Sequence, residues 1–479
     1  MDEPREGTVR GGEVIRTTQG PPSSWRRSGR WHRWTIATGE ADLLHVTGAQ
    51  GFVRSWARIT AQRDLPEQAA VLARRGPVWR PARRGDLDAL RALVVVGLVF
   101  FHSAVIFGAG EFPVKAPVEH RLATVLLAFG ATWGMPLLFV ISGMGVWYSL
   151  GSRGVAGFAR ERLRRLGVPL LVGLLTLVPF QVWLGQRRAG DAIGAADLYT
   201  RFWDVRPSLS FPFLLRAAPD GGRFETGHLW FLVCLLGFSL VLLPGVAALR
   251  GPRGRRLVEG VAGWLDRPGG LLLPVLLLAA VEVALGSEVG HGGWNDASYA
   301  LLLLYGFLAA ADPRVGRAMR RRWRPALALG GLLFLAAGAL YAATGGAGDP
   351  LSGMDPPAMA FRLLKSAAGW SWVVAILGLA DSRAAAAPTI PAAPGRPGLG
   401  RRLGAAASDV VLAFYLLHEP VVVAVAYVVL SWRLAAGVQY LLISGVSLAV
   451  TVLLCGLVRR GRVTRFLFGL KPGEVPSTP

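Results

Sequence analysis

The chain has 479 residues, of which 52% are hydrophobic, and it carries a formal charge of +22 at pH 7. A single water-soluble core of this length needs far less apolar surface, so the composition predicts a protein that faces lipid. A high positive charge is also typical of nucleic-acid-binding proteins, but here the arginines stand in short clusters between apolar runs of membrane-spanning length. We therefore expect the lipid bilayer as a partner and no nucleic acid.

The first part of the chain differs from everything that follows. Residues 1–86 are rich in Arg, Gly, Pro and Trp and show no sustained apolar period. A compact apolar stretch does not follow the first basic residues, so we expect no cleaved signal peptide. We predict a basic, disordered cytoplasmic leader over residues 1–86; a start codon assigned too far upstream would also explain such a segment.

Apolar segments of spanning or near-spanning length follow the leader. They begin near Leu87, Leu122, Gly167, His228, Gly270, Ala297, Pro325, Met359, Ser408 and Val438. The pattern predicts an all-α, polytopic membrane protein with about ten transmembrane helices, in a membrane domain over residues 87–460. An even number of crossings would place both termini on the same side of the membrane.

The distribution of arginine predicts which side that is, because Lys and Arg are retained in cytoplasmic loops. Arginine clusters occupy alternate connections and the end of the chain, at 153–165, 250–256, 314–324, 383–402 and 459–465. The opposite connections are acidic, except that the long one at 186–225 mixes both signs. We therefore predict cytoplasmic termini, a cytoplasmic tail over 461–479, and a multi-pass protein of the cell (inner or plasma) membrane.

The first predicted helix contains ionisable residues, which are costly inside a membrane and therefore candidates for function. Arg91 and His102 are eleven residues apart, which places them about 20° apart on one face and about 16 Å apart along the axis. Asp88, three residues before Arg91, can pair with it. Imidazole suits proton transfer near neutral pH, so we interpret His102 as functional. The structural alternatives are a snorkelling anchor for Arg91 and a packing donor for His102.

Three later segments contain further candidates. FARERLRRLGVPLL places Arg162 and Arg165 three residues apart, where two guanidinium groups can grip phosphates, although such clusters commonly only fix topology. GHLWFL carries His228 and FYLLHEP carries His418, and each alone is more often a packing residue. The cysteines, Cys234 and Cys455, lie in apolar runs without zinc-type spacing, so we expect no metal.

Together these motifs resemble the acyltransferase 3 family of integral membrane acyltransferases. DLDALRALVVVGLVFFH is similar to the first-helix signature of the family, whose Arg and His fall on Arg91 and His102. FVISG, which contains Ser142, FARERLRRLGVP, GHLWFL and YLLHEP resemble further signatures in family order. The resemblance covers residues from about 85 to 460. We expect the leader to have no counterpart in the family, and we expect no extracytoplasmic hydrolase-like domain at the C-terminus.

The resemblance implies an enzyme, an acyltransferase moving a group other than an aminoacyl group. Its donor would be acyl-CoA, bound from the cytoplasm, and its acceptor a hydroxyl of an extracytoplasmic carbohydrate, glycan or similar molecule. The acyl group would be of acetyl or succinyl type. The motifs resemble those of family members that modify periplasmic glucans more than those of members that modify O-antigen polysaccharides. The implied site residues are His102, Arg91 and Asp88 for catalysis, Arg162 and Arg165 for the donor, and His228, His418 and Ser142 as further candidates.

Two other functions remain open at this point. A solute or proton-coupled transporter also needs ionisable groups in the membrane and would use Glu282, but the sequence shows no internal repeat. A non-catalytic subunit of polysaccharide assembly or export would keep the fold while tolerating loss of His102. Within the enzyme hypothesis, His102 can act as a general base or accept the acyl group covalently.

Overall fold

The computed structural model describes residues 85–345, 348–386 and 399–471, together with three strands nearer the N-terminus. The side chains of Val289 and of residues 399–408 are outside this description. The chain divides into two compact units, Met1–Arg80 and Pro81–Pro479. In the first, β1 (Glu13–Ile15) pairs in parallel with β2 (Arg33–Ala37), which pairs antiparallel with β3 (Leu43–Thr47). The remainder of the predicted leader, up to residue 84, lies outside the described residues.

The second unit is built almost entirely of helices. In chain order they are α1 (Gly85–Val105), α2 (Arg121–Arg162), α3 (Val168–Val172), α4 (Val178–Ala189), α5 (Ala195–Phe202), α6 (Trp230–Val241), α7 (Leu243–Leu249), α8 (Pro252–Asp266), α9 (Leu273–Leu285), α10 (Asp296–Ala311), α11 (Pro313–Ala343), α12 (Pro356–Ala386), α13 (Leu399–Val429), α14 (Ala436–Arg460) and α15 (Arg462–Leu467). Two π-helical turns, Leu163–Gly167 and Gly173–Leu177, flank α3, and 3₁₀ turns precede α6, α9 and α10. A hairpin of β4 (Val205–Pro207) and β5 (Leu215–Ala217) lies between α5 and α6.

Six helical stretches of the described chain are long and apolar enough to cross a membrane, or up to eight if two bent pairs each count as one span. The bent pairs are Gly227–Val241 with Leu243–Leu249, at 54°, and Pro252–Asp266 with Gly270–Leu285, at 111°. The all-α, polytopic architecture agrees with the sequence, whereas the predicted count of about ten stays a prediction. Part of the difference comes from the run Arg121–Ala189, whose 69 residues form one stretch here, and part from the helix Asp296–Ala311, which is shorter than the spans that are counted. About 20 residues suffice for one crossing, and the sequence predicted two in this region.

The long helical run is interrupted at identifiable positions. Gly154 has φ +69° and ψ 177°, a left-handed backbone conformation that residues with a Cβ rarely adopt, and α2 turns there. Past the end of α2, the π-helical turn Leu163–Gly167 contains Arg165. Turns of this type inside helices are frequent at functional sites, because they re-aim the side chains that follow.

Helix α13 occupies a central position, since it packs against α1, α4 and α14. Polar and ionisable side chains on these helices therefore meet in the interior of the bundle rather than at the lipid surface. A second extensive contact joins α2 to α10, and a third joins α11 to α12. The mutual arrangement of α1, α4, α6 and α13 positions the site described below.

The contact between α2 and α10 is a direct backbone contact. A Cβ placed on Gly143 would lie 1.9 Å from the carbonyl oxygen of Leu303, and one placed on Gly306 would lie 1.9 Å from that of Val140. Small residues let helices in a membrane approach this closely and gain van der Waals contact. Neither glycine can be enlarged without separating the two helices.

We expect Gly143→Ala to destabilise the protein by about 1–3 kcal/mol or more, because the added methyl group overlaps a rigid backbone atom. Gly145→Ala on the same helix is the matched control, since its added Cβ meets nothing within 4 Å. Thermal unfolding in detergent measures both variants. Equal unfolding temperatures for the two would contradict the close approach of α2 and α10.

A buried ion pair connects α9 to α12. Lys365 Nζ lies 2.9 Å from Glu282 Oε2, and both side chains are nearly inaccessible. The carboxylate also accepts hydrogen bonds from Ser287 Oγ at 2.5 Å, Ser298 Oγ at 2.6 Å and the Asn295 backbone N–H at 2.7 Å. Four donors therefore satisfy the hydrogen-bonding capacity of the Glu282 carboxylate. These contacts hold the connection between α9 and α10 against α12.

Candidate active site

Polar side chains from four separate elements meet in the interior. His102 comes from the last turn of α1, Gln181 from α4, and His228 from the 3₁₀ turn that leads into α6. His418 and Glu419 are neighbours on α13 and complete the group. We refer to these five residues as the histidine cluster.

Glu419 is the centre of the histidine cluster. Its Oε2 lies 3.2 Å from His102 Nδ1 and its Oε1 lies 3.7 Å from His228 Nδ1. Gln181 donates a hydrogen bond from Nε2 to Glu419 Oε1 at 3.1 Å. The Glu419 side chain is only 7% exposed, so its oxygens depend on these protein groups rather than on water.

The hydrogen bonds of His228 and His418 assign their ring protons. His418 Nδ1 lies 2.6 Å from the carbonyl oxygen of Tyr415, and His228 Nε2 lies 3.1 Å from that of Leu416. A carbonyl oxygen only accepts, so each of these nitrogens carries a proton. In the neutral rings the opposite nitrogens, His418 Nε2 and His228 Nδ1, therefore hold lone pairs. Both are buried and find no hydrogen-bond partner in the described part of the chain.

His102 is the most accessible of the three histidines. Its side chain is 19% exposed, against 2% for His228, while His418 is fully buried. Phe112 stacks on the His102 ring with centroids 5.8 Å apart, and the His418 ring lies at 5.2 Å. The Nδ1 atom of His102 faces Glu419 at the distance of an ion pair, but without the alignment of a hydrogen bond. A substrate would therefore meet the opposite ring nitrogen, Nε2.

A narrow apolar cleft lies between the helices on the way from Arg91 to the histidine cluster. Arg91 and Tyr415 line it, with Leu138, Leu166 and Phe231 among the apolar residues. Tyr415 belongs to the surroundings of the cluster, because its hydroxyl donates to the carbonyl oxygen of His228. The cleft thus extends from a guanidinium group on the first turns of α1 to Tyr415, a neighbour of the histidines.

Three guanidinium groups gather near the Arg91 side of the cleft. Arg162, the last residue of α2, experiences the charges of both Arg91 and Arg165. Arg165 pairs with Glu161 at 3.3 Å, but that carboxylate also holds Arg153 at 2.7 Å. Like charges repel one another, so an anion that contacts several of these guanidinium groups would stabilise the arrangement.

Comparison with known proteins decides the family. A family model for an acyltransferase domain, acyltransferase 3, matches residues 84–460. The chain belongs to the acyltransferase 3 family. Membership confirms the resemblance drawn from the motifs and implies a multi-pass membrane protein with acyltransferase activity. None of the curated proteins compared with this acyltransferase 3 chain matches it significantly.

The acyltransferase 3 fold brings most of the predicted site residues into two groups. His102, His228 and His418 meet in the histidine cluster, and Arg162 and Arg165 meet Arg91 near the other side of the cleft. Asp88 lies on α1 one helical turn before Arg91. The roles of these residues in the acyltransferase remain predictions.

Ser142 is placed differently from the other candidates. It lies on α2, 5% exposed, next to the glycine that contacts α10. Its hydroxyl has no hydrogen-bond partner among the described residues. Its position between packed helices favours a packing role over a catalytic one.

Sequence reasoning did not single out Glu419 and Gln181. An acid inside an apolar span, directly after His418, is a signal that could have been used for Glu419. Gln181 offered no such signal, because its partner Glu419 is 238 positions further along the chain.

Proposed function

We propose that this protein transfers an acetyl- or succinyl-type group from acyl-CoA, bound from the cytoplasm, to a hydroxyl of a carbohydrate or glycan outside the cell membrane. The observation that carries the proposal is the pairing of the accessible His102 with the buried carboxylate of Glu419. An imidazole held by a carboxylate is a general arrangement for proton transfer in acyl-transfer enzymes. The proposed topology has about ten crossings with both termini cytoplasmic.

The arginine group supports the donor side of the proposal. Arg162 and Arg165 would hold phosphates of acyl-CoA, and Arg91, steadied by Asp88, would bind the part of the donor that enters the cleft. Arg91 and His102 lie about 16 Å apart along α1, a path that an extended thioester arm can follow. The cleft is narrow, so the helices around it would have to separate to admit that arm.

In the proposed reaction, His102 acts as the general base. The negative charge of Glu419 beside Nδ1 favours the neutral tautomer with its ring proton on Nδ1, so Nε2 accepts the proton of the acceptor hydroxyl. The hydroxyl oxygen attacks the thioester carbonyl carbon, an ester bond forms, and the carbon–sulfur bond breaks. Nε2 then returns its proton to the leaving thiolate, which leaves CoA as the thiol and His102 neutral.

The covalent alternative, in which His102 Nε2 carries the acyl group, differs in one measurable respect. Labelled acyl-CoA mixed with the protein without acceptor would leave label on the chain if an acyl-histidine forms. The general-base mechanism gives no labelled protein under the same conditions. Mild quenching followed by peptide mass spectrometry distinguishes the two.

A transporter is less well supported than an enzyme. Glu282, the carboxylate it would use, is paired with Lys365 and accepts three further hydrogen bonds. A proton-coupling carboxylate must exchange its proton with water, whereas this one is fully enclosed by fixed donors. Family membership also favours group transfer over transport of an unchanged solute.

The decisive test compares cell-surface and secreted glycans from cells with and without the protein by mass spectrometry. We expect acyl esters on a glycan only when the protein is present, and consumption of acyl-CoA by the purified protein in lipid only when acceptor is added. Unchanged glycans and no thioester consumption would contradict the enzyme. Uptake of an intact solute into vesicles would support the transporter instead.

The proposed topology predicts the labelling of two engineered cysteines. Ser352→Cys should react with an impermeant reagent from outside, and Ser477→Cys only after the cytoplasmic side is opened, because arginine clusters stay in the cytoplasm. Cys234 and Cys455 are buried and can be replaced by alanine to remove background. The reverse labelling pattern would show that the orientation in the membrane is opposite to the proposed one.

A further inference from the structure

We propose that His102, His228, His418 and Glu419 also form a site for a divalent cation of the zinc class, and that the bound ion blocks acyl transfer. The metal site itself is argued from geometry alone. The inhibition rests on the proposed function.

The ligand atoms are already close together. One ligand atom each from His102, His418 and Glu419 lies within 4.8 Å of the others, and His228 Nδ1 is 3.7 Å from Glu419 Oε1. Zinc binds nitrogen and carboxylate oxygen at about 2.0–2.2 Å, so neighbouring ligands of a tetrahedral ion lie roughly 3.3 Å apart. Side-chain rotations would bring the ligand atoms of His102, His418 and Glu419 to that value, and His228, which is not within the 4.8 Å group, would have to move toward the ion as the fourth ligand.

The ring N–H groups of His228 and His418 make the kind of hydrogen bond that metal-binding histidines make. A metal-binding imidazole donates its second N–H to a carbonyl or carboxylate, which fixes the tautomer and aims the lone pair. His418 makes this bond to the Tyr415 carbonyl, and His228 makes it to the Leu416 carbonyl. The two lone-pair nitrogens left over are buried and without a hydrogen-bond partner within the described ranges. A bound cation would satisfy both at once.

The donor set selects the type of ion. Three imidazole nitrogens with one carboxylate favour zinc and related transition metals, whereas calcium and magnesium require mainly oxygen ligands. The ligands come from α1, the turn before α6, and α13, so they form no short spacing motif. This explains why the sequence carried no metal signal.

Occupation of the site would remove the proposed base. A cation bound to His102 Nδ1 takes the lone pair there and leaves the ring proton on Nε2. That nitrogen then has no lone pair with which to accept the hydroxyl proton. Metal binding and general-base catalysis by His102 therefore exclude each other.

The test uses the full-length protein in detergent, stripped with a chelator, dialysed against Zn²⁺ and analysed for bound metal. We expect one zinc per chain, and at least a tenfold loss of affinity in the His228→Ala, His418→Ala double variant. His120→Ala is the matched control, because this histidine is exposed, lies in the connection before α2 and is not one of the proposed ligands. Equal zinc retention by the double variant and wild type would overturn the site.

Co²⁺ gives a readout on the wild-type protein that does not depend on the folding of any variant. Four-coordinate binding to nitrogen and oxygen should give an intense visible absorption band that Zn²⁺ abolishes, and absence of that band overturns the site. Acyl transfer, followed by mass spectrometry of the product, should fall when one equivalent of Zn²⁺ binds. If the metal-free protein transfers no acyl group but the protein still binds metal, the proposed function is refuted and the metal site is retained. Full transfer by the zinc-loaded protein would overturn the inhibition.

Discussion

His102→Ala should abolish acyl transfer while leaving the membrane domain folded. His102 is the accessible histidine of the cluster, and Glu419 lies 3.2 Å from its Nδ1. Loss of a general base typically lowers a rate by about 100- to 10,000-fold. The measurement is acyl incorporation into the native acceptor by purified variants in lipid.

The size of the effect separates catalysis from packing. Loss of one hydrogen bond between membrane helices costs roughly 0.6 kcal/mol, less than threefold in an equilibrium. His418→Ala should therefore have the milder effect, because His418 is fully buried whereas His102 is partly exposed. Thermal unfolding of each variant is the folding control. Near-normal transfer by a folded His102→Ala protein would remove the catalytic assignment.

Replacing Arg162 and Arg165 together with alanine should weaken binding of the acyl donor by roughly a hundredfold or more. Each lost charge-assisted hydrogen bond to phosphate is worth about 1.5–3 kcal/mol, and 1.4 kcal/mol corresponds to tenfold in affinity. Donor binding in detergent, measured by calorimetry with a non-hydrolysable acyl-CoA analogue, gives the value directly.

Arg255 and Arg256 supply the matched control for that experiment. They are exposed on α8 and their replacement removes the same charge. Arg165 also donates to the carbonyl oxygen of Gly469, so unfolding must be compared for both double variants. Equal donor affinity in the two, with folding intact, would return Arg162 and Arg165 to a purely topological role.

The local features of the chain were largely predictable from sequence. Which of these residues come together in the tertiary structure was not. The 3.6-residue period placed Arg91 and His102 on one face, and α1 is indeed a continuous helix over both residues. Family-like motifs selected three histidines that the structure brings together. The partnership of Glu419 with His102 and Gln181 depends on which helices are neighbours, and periodicity contains no such information.

The number of crossings shows the same limit. Sequence patterns treat an apolar run as one straight helix, whereas α6 and α7 bend by 54° and α8 and α9 by 111°. The arginine-rich connection before Gly270 was expected as a loop and forms the helix α8. Breaks of this kind depend on packing against other helices, so hydropathy alone does not locate them.

The backbone contact between α2 and α10 determines which walls of the cleft can move. Leu138 contributes α2 to the cleft, and five residues further along Gly143 fixes the same helix to Leu303. Two helices in direct backbone contact behave as one stiff frame, because no side chain between them can rearrange. We therefore expect the widening that admits a thioester arm to come from α1 and α13, whose displacement would carry His102 and Glu419 along with it.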